Sequence, residues 1–324
     1  MKTRDIMTIV GQFRSIQCTY PYIVPFLRRL EEAIARKARS NYHGDIRITM
    51  EMVKDIDVIR TAVYASKRPM SFEWFLKVKE RKVCDVEVYT DAATTIGVGG
   101  FVNQDGGGHF QFLWREYPEW NDRHHPDITY MELFGVVLAA KLWGKRFNRL
   151  AVGFWCDNWA SVMMAIRKVA CFHRRDLNDL LRELCQSVMK HDHHYWIRHI
   201  PGVKNIIADA ISRNEIVPAA AMRQQGIQYL EKQRTDCRQM AIEMLDRTWF
   251  KHTHYIQRVR HEKHCHCDTD VNNRYDRTGR IICKKTNKLI MEAETWTKKE
   301  KTNQSSERRR KSRKRKFNPE TNKQ

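Results

Sequence analysis

The chain has 324 residues, 42% of them hydrophobic and 30% charged, which leaves room for about two domains with a packed core. Its 59 Lys and Arg against 38 Asp and Glu give a formal charge of +21 and point to a polyanionic partner, nucleic acid first. The longest apolar runs, such as Phe134 to Ala140, are too short for a membrane span, and nine scattered cysteines without a secretory signal read as reduced thiols of an intracellular protein.

Residues 1–70 read as a helical segment. Ile6, Ile9, Val10 and Phe13 have helical spacing, as do Phe26, Leu27, Leu30 and Ile34, and Thr49 is placed to cap a third helix carrying Met52, Val53, Ile56 and Ile59. A linker, 71–83, follows Pro69. Residues 84–214 then alternate in period. Three strands come first: Val86 to Asp91, Ile96 to Asn103 and His109 to Trp114, the last two joined by an Asp105-Gly106 turn. A long helix from Thr129 to Arg146, a strand from Leu150 to Cys156, helices Trp159 to Val169 and Leu177 to Lys190, a strand His193 to His199 and a closing helix after Pro201-Gly202 complete the pattern. The order predicts an α/β domain with a mixed five-stranded sheet flanked by helices. Residues 215–297 read as a helical or irregular appendage, with one helix over 219–250, and 298–324 as a disordered basic tail. Lys298 to Lys316 carry eleven basic and two acidic residues, +9 of the +21, so the remainder is basic in its own right.

Four carboxylates fall at element ends. Asp91 closes the first strand, Glu132 lies in the first turn of the long helix, Asp157 follows the fourth strand, and Asp209 lies in the closing helix. Each has a plainer role open to it: Asp91 opening a turn, Glu132 completing a capping box with Thr129, Asp157 capping the next helix, Asp209 facing water. Together they describe a cluster whose mutual repulsion is tolerable only with cations between its members. Oxygen ligands select Mg²⁺ or Mn²⁺, and two such ions suit in-line phosphodiester hydrolysis. Trp155, Trp159 and Trp196 are expected to fill the core, and His199, at a strand end, to bond backbone.

Tyr89-Thr90-Asp91-Ala92-Ala93 with Gly97-Val98-Gly99-Gly100, Glu132-Leu133 with Ala139, Cys156-Asp157-Asn158, and the run His199-Ile200-Pro201-Gly202 to Asn205, Ala208-Asp209 and Ser212-Arg213 carry a resemblance. Residues 84–214 resemble the RNase H domain of retroelement reverse transcriptases of the gypsy-like or DIRS-like kind, and 1–70 more weakly resemble the segment that joins polymerase to RNase H there. The resemblance implies an RNase H-like fold, two Mg²⁺ or Mn²⁺ ions on Asp91, Glu132, Asp157 and Asp209, hydrolysis of the RNA strand of an RNA/DNA hybrid, and a polymerase subunit or polyprotein partner. It also implies substrate contacts from Asn158 and Asn205. Arg167, Lys168, Arg174 and Arg175 form a basic knuckle suited to the phosphates of the other strand, or a solvated face. No Tyr-x-Asp-Asp turn of a polymerase occurs.

Two rival classes stay open: a non-catalytic nucleic-acid-binding or scaffolding module, and an exonuclease using Asp85 and Glu87, whose alternation with Val86 and Val88 also reads as a solvated face. His261, His264, Cys265, His266, Cys267 and Cys283 are dense in ligand types but fit no common zinc spacing. The run Arg308 to Lys316 suits nuclear import or nonspecific nucleic-acid binding, so the expected location is nuclear.

Overall fold

The computed structural model describes residues 1–38, 44–65, 84–120, 125–233 and 235–252, together with two short strands at 274–275 and 281–282. Residues Met1–His252 form one packed unit and Thr253–Gln324 a second. In the second, Arg274–Tyr275 and Ile281–Ile282 pair antiparallel. The His261 to Cys283 ligand cluster and the basic tail lie outside the described residues.

Three N-terminal helices appear where the apolar spacing puts them: α1 (Thr3–Ile16), α2 (Val24–Ala38) and α3 (Met50–Ala65). Thr49 does cap α3, its Oγ1 accepting from Met52 N at 3.3 Å. Next come β1 (Val86–Ala93), β2 (Gly97–Val102), β3 (Gly107–Leu113), α4 (Ile128–Leu142), β4 (Ala151–Cys156), α5 (Trp159–Arg167), α6 (Arg175–His191), β5 (His194–His199) and α7 (Ile206–Ser212). The chain continues through α8 (Ala219–Gln224), β6 (Leu230–Lys232) and α9 (Thr235–Leu245), which runs into a π-helical turn, Asp246–Phe250.

The sheet has six strands in the order β5-β4-β1-β2-β3-β6, not the five expected. β1, β2 and β3 pair antiparallel, while β1–β4, β4–β5 and β3–β6 are parallel. Because β1 and β4 run in the same direction, Asp91 and Asp157 emerge at the same edge of the sheet. β6 is fixed by the β2–β3 turn. Gly106 adopts φ +65° and its N–H donates to Tyr229 O, while Asp105 Oδ1 accepts from Gln228 N and Tyr229 N.

Residues 215–252 are therefore not an appendage. Gly226 and β6 interrupt the single helix expected over 219–250, and Cys237, Ala241, Met244 and Leu245 of α9 join the main core with α4, α6 and one sheet face. That core explains the composition of α4, buried at every position from Tyr130 to Ala140 and so apolar nearly all round. On the other face Tyr89 and Phe101 pack against Ile207 and Ile211 of α7. Phe101, Tyr89, Trp155 and Arg198 form a cross-strand row there, the first three rings stacked and the guanidinium over the last. Trp155 and Trp196 are half-buried, whereas Trp159, expected in the core, is 62% exposed. It opens α5 at the sheet edge, where none of the elements among the described residues covers it.

The N-terminal helices share the packed unit. Ile23, Phe26, Leu27 and Ile59 meet Cys185 of α6. Beside them Arg29 binds both Asp55 and Asp179, Arg182 binds the same two carboxylates, and His252 Nε2 donates to Asp179 Oδ2 at 2.6 Å. This buried ionic group ties α2, α3, α6 and the end of the unit together.

Candidate metal centre

Two glycines let the site close. Gly135 of α4 lies where a Cβ would come within 2.8 Å of Val98, so the helix settles onto β1 and β2 and carries Glu132 to the sheet edge. Gly99, the register partner of Asp91, lies where a Cβ would stand 2.7 Å from Ser212 N, so α7 descends directly beside Asp91. Larger residues at either position would push a carboxylate-bearing helix outward.

As a result Asp91, Glu132, Asp157 and Asp209 line one cavity of about 490 Å³ with Thr94, Thr95, Ile128, Asn158 and Arg213. All four sequence candidates meet there. Glu132 is 3% exposed; its Oε1 accepts from Ala92 N at 3.2 Å and its Oε2 from the Cys156 thiol at 3.5 Å. Asp91 is 5% exposed, and Ser212 Oγ donates to its Oδ2 at 2.6 Å. Asp209 is more open and accepts from Arg213 Nε at 2.8 Å. The plainer roles are taken by neighbours: Asp127, not Thr129, caps α4 by accepting from Tyr130 N, and Asn158 caps α5 by accepting from Ser161 N. His199 Nε2 donates to the Asp157 carbonyl at 2.9 Å, the backbone role expected of it.

Burial is the main force on these acids. It pushes the Asp91 carboxyl up from 3.8 to about 6, with the charges of Asp157 and Asp209 adding to the effect against the Ser212 hydrogen bond. Glu132 is driven well above the carboxylate range by burial and then by Asp91 and Asp157, and Asp157 is raised by burial and by Asp209 against the pull of His199. Glu132, Cys156 and Asp157 each bring one ligand atom within 4.8 Å of the others, close enough to hold a metal ion. Burial also lifts the Cys156 thiol well above its usual range, so it stays a proton donor to Glu132. The donors left for an ion are carboxylate oxygens, a set that fits a hard divalent cation.

One stability prediction follows. For a carboxyl whose folded pKa lies above its unfolded one, the ionised form costs stability, and the cost grows as pH rises from 3.8 through 6. Asp91→Asn, which keeps an oxygen for Ser212 to donate to, should therefore raise the melting temperature of the chelator-treated protein above pH 7 by a few degrees, as a gain of about 2–3 kcal/mol implies. Thermal unfolding at pH 5 and pH 8 checks it: the gap between variant and parent must widen at the higher pH.

The expected substrate residues fare differently. Asn158 lines the cavity, but its Oδ1 is engaged in capping α5. Asn205 is 1% exposed and donates from Nδ2 to Thr90 O at 3.0 Å, tying α7 to β1 rather than facing a ligand. The basic knuckle is largely consumed by internal pairs: Arg174 with Asp127 and Asp176, Arg175 with Glu32, and Lys168 half-buried over the Tyr22 and Tyr195 rings. Arg167 stays exposed. Asp85 and Glu87 are also occupied, Asp85 Oδ2 accepting from Ala151 N, and Glu87 accepting from Tyr89, Asn103 and Trp155. Both also line a different cavity from Asp91, Glu132, Asp157 and Asp209, so the exonuclease pair does not join that cluster. Ser212 and Arg213 had been given no role; a signal was available, since they lie three and four residues after Asp209, on its own side of a helix.

Comparison with known proteins adds nothing to this geometry: no protein-family model matches the chain, and no curated protein does. Among the described residues no helix is long and apolar enough to cross a membrane.

Proposed function

We propose that the chain is an RNase H-type endonuclease that hydrolyses the RNA strand of RNA/DNA hybrids with Mg²⁺ or Mn²⁺, as part of a retroelement reverse transcriptase. One observation carries the reading: four carboxylates from four separate elements line one cavity, and two of them, Asp91 and Glu132, are almost fully buried. Burying like charges together is costly without cations, and a fold that retains all four is built for ions. Asp91, Glu132, Asp157 and Asp209 are the residues to hold them. Two bound ions would activate a water and stabilise the leaving oxygen of a phosphodiester.

The chain's own groups set the frame for that chemistry. Ala92 N and Cys156 hold both oxygens of Glu132, Ser212 holds one oxygen of Asp91 and leaves the other, and His199 fixes the backbone of Asp157. The motifs around these residues, similar to those of retroelement RNases H, support the choice of hybrid as substrate. The basic run from Arg308 to Lys316 supports a nuclear location and a nonspecific hold on nucleic acid, and the helices preceding β1 support attachment to a polymerase subunit or polyprotein.

The test is cleavage of a labelled RNA/DNA hybrid beside DNA and RNA duplexes, with Mg²⁺ or Mn²⁺ and with chelator. Cutting of the RNA strand of the hybrid alone, only with metal, is the expected result. Hybrid binding without cutting would move the reading to a non-catalytic module. Binding should also weaken steeply with salt, because a +21 chain releases counterions from the phosphates it neutralises. Removing residues 298–324 should flatten the plot of log affinity against log salt and leave cleavage of saturating substrate intact.

A further inference from the structure

The segments that bring carboxylates to the cavity also carry exposed apolar side chains. Ile128, at the start of α4, is 39% exposed and lines the cavity itself. Trp159, two residues after Asp157, is 62% exposed; Val203 and Ile206, on the turn leading into α7, are 83% and 43% exposed. Large apolar groups left in water around an acid-lined cavity mark a contact surface. Trp159 is also held in place: the His199 ring meets it edge-on at 5.5 Å, and His199 is itself anchored on the Asp157 carbonyl. The indole thus stands at a set position relative to the carboxylates.

The surroundings define the partner. Lys204, exposed, follows Val203 in sequence, and Arg213 lines the cavity. Apolar groups on separate elements, interleaved with cations, match a strand that alternates phosphates with sugars and bases rather than a continuous protein face. Inside a duplex both faces of each base are covered by its neighbours. An indole can stack only on a base that is unpaired or terminal.

We infer that Trp159 is a stacking platform for an unpaired nucleobase, directing the carboxylate cavity toward single-strand overhangs and junctions. The inference rests on the nuclease reading for its purpose, but its test does not depend on cleavage. The full chain is titrated in chelator against a labelled blunt hybrid and against the same hybrid carrying a single-stranded overhang, for the parent, Trp159→Phe and Trp159→Ala. Stacking on one base makes the overhang tighten binding by roughly 5- to 150-fold in the parent. Trp159→Phe should keep most of that gain and Trp159→Ala should lose it, with blunt-hybrid affinity alike in all three. Trp159 is exposed, so neither substitution threatens folding. An overhang gain that survives in Trp159→Ala, or a loss that falls equally on blunt and overhung hybrid, overturns the inference. If the parent cuts nothing in Mg²⁺ while the overhang gain still depends on Trp159, the nuclease reading falls and the platform stands.

Discussion

Asp157→Asn should slow the proposed hydrolysis of the hybrid roughly a hundredfold to a thousandfold and leave the fold and hybrid binding in place. The magnitude is that of one lost electrostatic stabiliser, about 3–4 kcal/mol in the transition state. The selectivity of the effect comes from the geometry. Asp157 lines the cavity, yet the helix behind it is capped by Asn158 and its own backbone is held by His199. The substitution therefore removes a charge without removing a structural bond. Asn158→Ala should do the reverse, since a lost cap costs about 1 kcal/mol of stability and no ligand charge. Single-turnover cleavage and thermal unfolding, run side by side, separate the two. Undiminished cleavage by Asp157→Asn would place the activity at another site.

The second large effect is on stability. Asp179→Ala should destabilise the protein by about 3–5 kcal/mol, read by urea unfolding. Asp179 is 7% exposed and binds Arg29, Arg182 and His252; without it, two arginines share Asp55 alone, one of them 8% exposed. An exposed pair such as Glu32 with Arg36 offers a control, and Arg36→Ala should cost less than 1 kcal/mol. The pH dependence has a definite sign. Burial pushes Asp179 up, but His252, Arg182 and Arg29 overcome it and hold the carboxyl at about 2, below its ordinary 3.8. Its contribution is complete above pH 3.8 and is lost as pH falls through 2. Asp55, sharing the same arginines, is held up by burial, with the charge of Asp179 adding to it. In Asp179→Ala the acid limb of the stability curve should flatten correspondingly.

Asp91, Glu132 and Asp157 were legible because each closes or opens an element whose period is plain, with Val86 and Val88 before Asp91, the apolar helix after Glu132, and Val152 and Phe154 before Asp157, while Asp209 was legible from the run His199 to Arg213. β6 was not. Leu230-Glu231-Lys232 is too short to show alternation, and its partner β3 lies far away in sequence, so only tertiary pairing identifies it as a strand. α9 was merged with α8 for the same reason, the break between them being read as continuous helix. The basic knuckle misled because charge in a sequence does not reveal its pairing: Arg174 and Arg175 find acids on α6, on α2 and at the cap of α4. Trp159 misled in the opposite direction. Aromatic residues near strand ends usually pack, and nothing local says that the first turn of α5 stands at an uncovered edge.

The parallel pairing of β6 with β3 sets an order of events during synthesis. Strands β1 to β5 and α4 to α7 all precede Asn214, so they leave the ribosome before β6 and α9 do, and the carboxylates can assemble ahead of them. β3 still presents an unpaired edge, and α9 has not yet covered Phe110 and Phe112 of the growing core. Until residues 214–245 have emerged, the nascent chain carries an open strand edge, the kind of template on which neighbouring chains associate. A polypeptide released at residue 214 would stay in that state. It would hold all four carboxylates of the candidate site and still be prone to aggregate, so covering that edge, rather than lining the cavity, is what the last forty residues of the unit do.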